Sequence, residues 1–156
     1  MYKYLFFFIF VTCSLPALAW QGRIVSISSG DTFAVQPLEG GEQVQVKLWG
    51  ITCPDVYQPG GQLAKSFVDN LCLFKVVDVK DKIVSSASLL FATVHLDDGS
   101  TLQQQLLESG LAWVYDKECK GCYRWKMAER EAQKDNLGIW KREVPSAPVD
   151  WMKQNG

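Results

Sequence analysis

Read from the first turn signals onward, the chain alternates between two periods of apolar residue. Arg23–Ser28 alternates apolar and polar positions with Ile24 and Ile27 near its ends. Thr32–Gln36 is rich in the β-branched and aromatic types that suit a pleated, half-buried surface, and Gln43–Leu48 places Val44, Val46 and Leu48 on one face. Three consecutive strands are predicted, separated by Ser28-Ser29-Gly30-Asp31 and Leu38-Glu39-Gly40-Gly41, where glycine tolerates positive φ. The period then lengthens. Gln62–Leu71 carries Leu63, Phe67 and Leu71 at helical spacing, predicting a helix with that face inward. Phe74–Val79 and Leu89–Leu96 read as two further strands joined by a polar segment, Lys80–Ser88.

Asp97-Asp98-Gly99-Ser100 predicts a turn, after which Ser100 or Thr101 caps a helix with Leu102, Leu106 and Leu107 facing inward and Gly110 as its stop. Ala112–Tyr115 is a short apolar segment. A last helix over Tyr123–Asn136 has Trp125, Ala128 and Ala132 on one face and a charged, solvated face opposite, with Gly138 after it. Five strands with three helices, one of them between the third and fourth strands, form an α+β chain on the OB-fold plan, a five-stranded barrel.

The ends are different in kind. Lys3 followed by the apolar run Leu5–Val11 and by Ala17-Leu18-Ala19 has the layout of a signal peptide over residues 1–19, too short to span a bilayer. Cys13 inside it lacks the small residues that precede a lipoprotein cysteine. The folded domain is therefore expected over 20–141, with 142–156 a loosely attached tail. The domain is expected to be exported, periplasmic or secreted, with no membrane attachment beyond the leader. The formal net charge of −1, with Lys3 in the leader, supplies no strong electrostatic grip on DNA, whose non-specific affinity comes from phosphate neutralisation.

Four cysteines lie beyond the leader: Cys53, Cys72, Cys119 and Cys122. An even number in an exported chain points to disulfides, with three possible pairings. Cys53–Cys72 and Cys119–Cys122 is the preferred one, with free thiols and a metal or redox role as alternatives. Cys119-Lys120-Gly121-Cys122 has redox-motif spacing but no βαβ unit around it, and a four-cysteine zinc site needs two close pairs.

Polar groups gather where strands end: Asp31 after the first, and Thr52, Cys53 and Asp55 after the third, the usual place for a site. Gly30-Asp31-Thr32 opening the second strand, Lys47-Leu48-Trp49-Gly50-Ile51-Thr52-Cys53-Pro54-Asp55 closing the third, a helix bearing Gly61, Ala64, Lys65 and Phe67, then Leu96-Asp97-Asp98-Gly99, Ser109–Tyr115 and Gly138-Ile139-Trp140 together resemble the thermonuclease, or staphylococcal nuclease-like, domain family. The resemblance covers roughly residues 21–141. It implies hydrolysis of a phosphodiester with a bound calcium, a carboxylate that activates water and two arginines on the phosphate. A hard cation takes oxygen ligands and stabilises charge on phosphoryl oxygens, and arginine's fork grips phosphate as lysine cannot.

Carried onto this chain, the resemblance makes Asp31 a calcium carboxylate. Thr52 stands where the second carboxylate belongs, Asp55 where the glutamate base belongs, and Lys47 where the first arginine belongs. The place of the second arginine, within Ile83–Leu90, holds none, Lys82 being the nearest cation. Each departure costs on the order of 10²-fold when catalytic groups act as a unit. Each residue also has a plainer reading: Asp31 as a turn residue bonding nearby amides, Lys47 facing solvent, Asp55 capping a loop, His95 packed or on the surface, and Trp113, Tyr115 and Trp125 in the core rather than beside a nucleotide. The leading expectation is a monomeric, exported domain with a degenerate site. It would bind a protein, an envelope component or a nucleic acid. The runner-up is a calcium-dependent phosphodiesterase using Asp31, Asp55 and Lys47, and a redox protein built on Cys119 and Cys122 comes third.

Overall fold

The computed structural model describes residues 19–86, 89–115, 117, 119 and 121–141. The expected leader, but for Ala19, and the tail from residue 142 lie outside these. The elements are β1 (Ala19–Ser29), β2 (Thr32–Pro37), β3 (Val44–Leu48), β4 (Ile51–Thr52), α1 (Gly61–Cys72), β5 (Val76–Ser86), β6 (Leu89–His95), α2 (Leu102–Glu108), β7 (Trp113–Val114) and α3 (Tyr123–Lys134), followed by a 3-10 turn over Gly138–Lys141. Five strands close a barrel in the order β1-β2-β3-β6-β5, and β4 and β7 pair as a small separate sheet. The α+β barrel with three helices is the architecture the sequence predicted.

Barrel closure depends on β1. Its first half pairs with β5 (Trp20 opposite Val79) and its second half with β2 (Ile27 opposite Phe33), the ladder shifting register between Ile24 and Ser26. Among the barrel pairs of the described residues, β3–β6 is parallel and the other four are antiparallel. Inward positions of this ring, among them Ile24, Phe33, Val35, Val46, Leu48, Val79 and Val94, have no solvent exposure. At about 25 cal/mol per Å², such burial is the main favourable term in folding. A buried amide reinforces the parallel seam. Gln103 accepts from the Val94 N–H and donates to the Ala92 carbonyl (3.0 Å) and the Trp49 carbonyl (3.4 Å), tying α2 to the end of β3.

Three local expectations need correction. The inward stripe of α1 is Gly61, Ala64, Val68 and Cys72, while Leu63 is 54% exposed and Phe67 and Leu71 only pack at the margin. Small residues face the barrel because the helix lies close to it: a Cβ at Gly30 would stand 2.8 Å from the Ala64 Cβ. The polar stretch after Val79 is not a loop, since β5 runs on to Ser86 and pairs with β6 down to Leu89. Backbone pairing in a hairpin needs no apolar side chains, so composition hid it. Lastly, Ile51–Thr52 forms a strand of its own, paired with Val114 and Trp113.

Other local readings hold. Thr101 caps α2 by accepting from the Gln104 N–H, Leu102, Leu106 and Leu107 are buried, and Gly110 follows at φ +67°. Ala128 and Ala132 are the buried face of α3. No helix among the described residues is long and apolar enough to cross a membrane.

Candidate functional site

The tight turn between β1 and β2 puts Asp31 at the mouth of the barrel. Gly30 precedes it because a side chain there would run into Cys53 and Ala64. The carboxylate is 4% exposed and fully engaged. Oδ1 accepts from the Ser29 hydroxyl at 2.8 Å and the Thr32 hydroxyl at 2.9 Å, and Oδ2 from the Cys53 backbone N–H at 3.1 Å and Lys47 Nζ at 3.0 Å. The Asp31 carbonyl also accepts from the Leu48 N–H at 2.8 Å. β2–β3 register sets the ion pair, for Thr32 stands opposite Lys47 and brings the lysine stem beside the turn. Lys47 is not a purely solvent-facing residue: it is about two-thirds covered and paired.

Asp55 is exposed and belongs to its own loop. Its Oδ1 accepts from the Tyr57 N–H at 3.0 Å, while the Gln58 side chain accepts from the Asp55 N–H at 3.3 Å. That is the capping role. Thr52 lies on β4 beside the cleft with a neutral hydroxyl.

Asp31, Lys47, Thr52 and Asp55 line one cleft of about 530 Å³, together with Ser28, Ser29, Thr32, Ile51, Phe91 and Tyr115. The structure thus brings together all three carboxylate and lysine candidates that the sequence singled out. Of Trp113, Tyr115 and Trp125, Tyr115 alone lines the cleft, beside Phe91. Trp113 packs edge-on against Trp140 at 6.0 Å and Trp125 against Trp49 at 6.2 Å. His95 ends β6 in a bridge to Thr101, away from the cleft. Ser29, Thr32 and the Cys53 amide, which fix Asp31, were missed; the hydroxyls flanking Asp31 in the turn sequence were the available signal. Lys82's side chain and the pair Ala87-Ser88 lie outside what the structure describes.

The cysteine expectation is half corrected. Cys119 and Cys122 are bonded, with Cα atoms 5.4 Å apart, but Cys53 and Cys72 are free and buried. Cys53 meets α1 near Ala64, and Cys72 lies eight residues further along the helix, about 12 Å at 1.5 Å per residue, whereas a disulfide requires Cα atoms within about 7 Å. Burial pushes the Cys53 thiol well above its ordinary pKa, with the Asp31 charge adding to the shift and Lys47 partly offsetting it. Burial likewise pushes Cys72 up to about 12. Both are inert thiols. The Cys119 sulfur rests on Gly50, where a Cβ would lie 3.0 Å from it, so the disulfide braces the β3–β4 turn from behind.

The calcium that the resemblance implies does not fit these donors. Calcium takes six to eight oxygen ligands, several of them carboxylate. Here one carboxylate faces the seat, both its oxygens are taken and an ammonium stands on one of them. The second carboxylate is a threonine and Asp55 is turned to its own loop. Among the described residues no three His, Cys, Asp or Glu side chains are grouped to hold a metal.

Comparison with known proteins gives consistent relatives. The model of the family described as staphylococcal nuclease homologue matches residues 45–142. A protein of Haemophilus influenzae named an uncharacterized endonuclease is 27% identical over 85% of this chain and 72% of its own length. Another of the same name, from Escherichia coli O157:H7, is 26% identical over 97% of both. A staphylococcal-like nuclease of Arabidopsis thaliana is 27% identical over 84% of this chain, which spans 38% of that relative.

Proposed function

The chain belongs to the staphylococcal nuclease homologue family, and on that premise we propose that it is an exported member whose cleft binds rather than hydrolyses. One observation carries the reading: Lys47 Nζ sits 3.0 Å from Asp31 Oδ2, where hydrolysis needs the carboxylate free for a cation. The departures around it agree. Thr52 is neutral, Asp55 caps its loop, and no arginine occurs in Ile83–Leu90. Losing one group that stabilises the transition state costs on the order of 10²-fold, and here several are absent together.

What persists is a barrel mouth with aromatic and hydroxyl-bearing walls, and OB barrels are used as binding faces. The signal-peptide layout of residues 1–19 supports export, and with it an envelope component or another exported protein as the partner of that face. The competing reading, a calcium-dependent phosphodiesterase acting through Asp31, Lys47 and Asp55, is favoured by relatives whose names include endonuclease.

The test is cleavage of single-stranded DNA and RNA by the purified protein, in millimolar calcium and in chelator, beside Asp31→Ala. No calcium-dependent cleavage above the variant's background is expected. Cleavage that calcium turns on and Asp31→Ala abolishes overturns the proposal.

A further inference from the structure

We infer that Lys47 does the work of the metal and not of the arginine whose place it occupies: its ammonium is the resident cation of the Asp31 seat and bars divalent ions from it. The inference deepens the reading of the cleft proposed above.

Four donors converge on the Asp31 carboxylate. Three are neutral, the two neighbouring hydroxyls at 2.8 and 2.9 Å and the Cys53 amide at 3.1 Å; the fourth is the charged Nζ at 3.0 Å. A calcium ion would sit about 2.4 Å from the same oxygen. Nζ stands on that oxygen, so the two cations compete for one seat. Lysine is suited to the exchange. It is a compact point charge on a flexible stem, whereas a guanidinium spreads its charge over a fork made for two oxygens at once. The Thr32 hydroxyl, 3.5 Å from Nζ, adds a second oxygen on the same side. Thr52 completes the change: with Asp55 turned to its own loop, a carboxylate at 52 would set two negative charges against one lysine at the seat, and a hydroxyl leaves the Asp31–Lys47 pair balanced.

Thr32, which follows Asp31 in the chain, is the partner of Lys47 across β2 and β3, so the barrel's register fixes the seat without a ligand. The turn is therefore ordered by a covalent part of the chain, in any calcium concentration.

The experiment compares wild type, Lys47→Gln, Thr52→Asp and the Lys47→Gln/Thr52→Asp pair, each as the full purified protein. Thermal unfolding is recorded in millimolar calcium and in chelator. Terbium luminescence sensitised by Tyr115 in the cleft wall gives a second readout. Wild type is expected to melt at one temperature in both conditions and to give no terbium signal. The paired variant is expected to melt several degrees higher in calcium and to bind terbium, both effects being lost on adding Asp31→Asn. Thr52→Asp alone is expected to respond far less than the pair, because Lys47 still holds the seat. Lys47→Gln alone, the smallest change, is expected to bind terbium weakly, which keeps the test decisive should the paired variant not fold.

A calcium-dependent rise in wild type that Asp31→Asn removes overturns the inference. So does terbium silence in every folded Lys47 variant, or an equal response in Thr52→Asp with and without the lysine. The two readings fail separately. Calcium-dependent cleavage by wild type sinks both, while an inert wild type with unresponsive Lys47 variants sinks this one alone.

Discussion

Removing Asp31 should cost far more than removing the lysine paired with it, and the asymmetry follows from who else depends on each. In Asp31→Ala the Cys53 N–H is left buried without an acceptor, a loss of about 1–3 kcal/mol. The Ser29 and Thr32 hydroxyls lose their acceptor too, but both are half-buried beside the cleft and can turn to water. Lys47, with a third of its side chain exposed, is solvated once released, so its part is screened to about 1 kcal/mol or less. The total is about 3 kcal/mol. In Lys47→Ala the carboxylate keeps three donors, and only the screened ion pair and some stem packing go, about 1 kcal/mol. Urea unfolding at neutral pH and low salt, followed by tryptophan fluorescence, measures both. Equal costs, or a larger cost for Lys47→Ala, would refute the claim that the neutral donors fix Asp31 and the lysine only fills the seat.

Three further outcomes are expected. Gln103→Leu should lose about 1–3 kcal/mol in the same urea assay, because the buried Val94 N–H loses its acceptor and the Ala92 carbonyl loses a donor. Replacing Cys119 and Cys122 together by serine should lose about 2 kcal/mol, the chain-entropy value for so short a loop; intact protein titrated with a thiol reagent under denaturing conditions should show two free thiols from Cys53 and Cys72 before reduction, with any leader cysteine counted apart. The third concerns alkali. A thiol whose pKa is raised on folding contributes stability that is whole below the unfolded pKa of about 8.5, and that contribution is gone once pH passes the folded value. For Cys72, held up to about 12, stability should fall between these limits by about 1.4 kcal/mol per pH unit, and Cys72→Ala should show a shallower decline in urea melts from pH 8 to pH 10.5.

The barrel was legible because its strands have one wet and one dry face: Val46 and Leu48 alternate with Lys47, and that alternation survives in the fold. Where the backbone alone makes the structure, side-chain pattern is silent. This hid the outer half of β5 and the two-residue pair of β4 and β7, neither of which is long enough or apolar enough to show a period. Size does not mark the inward stripe of α1: the helix lies so close to the β1–β2 turn that it needs Ala64 there, and so close to the Asp55–Val56 backbone that it needs Gly61. The positions of the site were legible from fixed offsets at strand ends. Their state was not. That Asp31 is paired, and with what, depends on the register between strands sixteen residues apart, and on hydroxyls that look like ordinary turn residues.

The double pairing of β1 also has a kinetic consequence. Its second half meets β2 across a two-residue turn, but its first half meets β5 at a sequence separation of 57 for partners such as Gln21 and Asp78. Local hairpins form within about 1–10 μs, whereas closing so long a loop waits on chain entropy and slows folding as contact order rises. The β1–β2–β3 meander is therefore the early unit, and it already contains Asp31, Ser29, Thr32 and Lys47. Tyr115, which depends on β7 and the disulfide behind it, arrives from the far end of the chain. The Asp31–Lys47 pair is a property of the first hairpins, and the wall that Tyr115 and Phe91 add to it belongs to the native state alone.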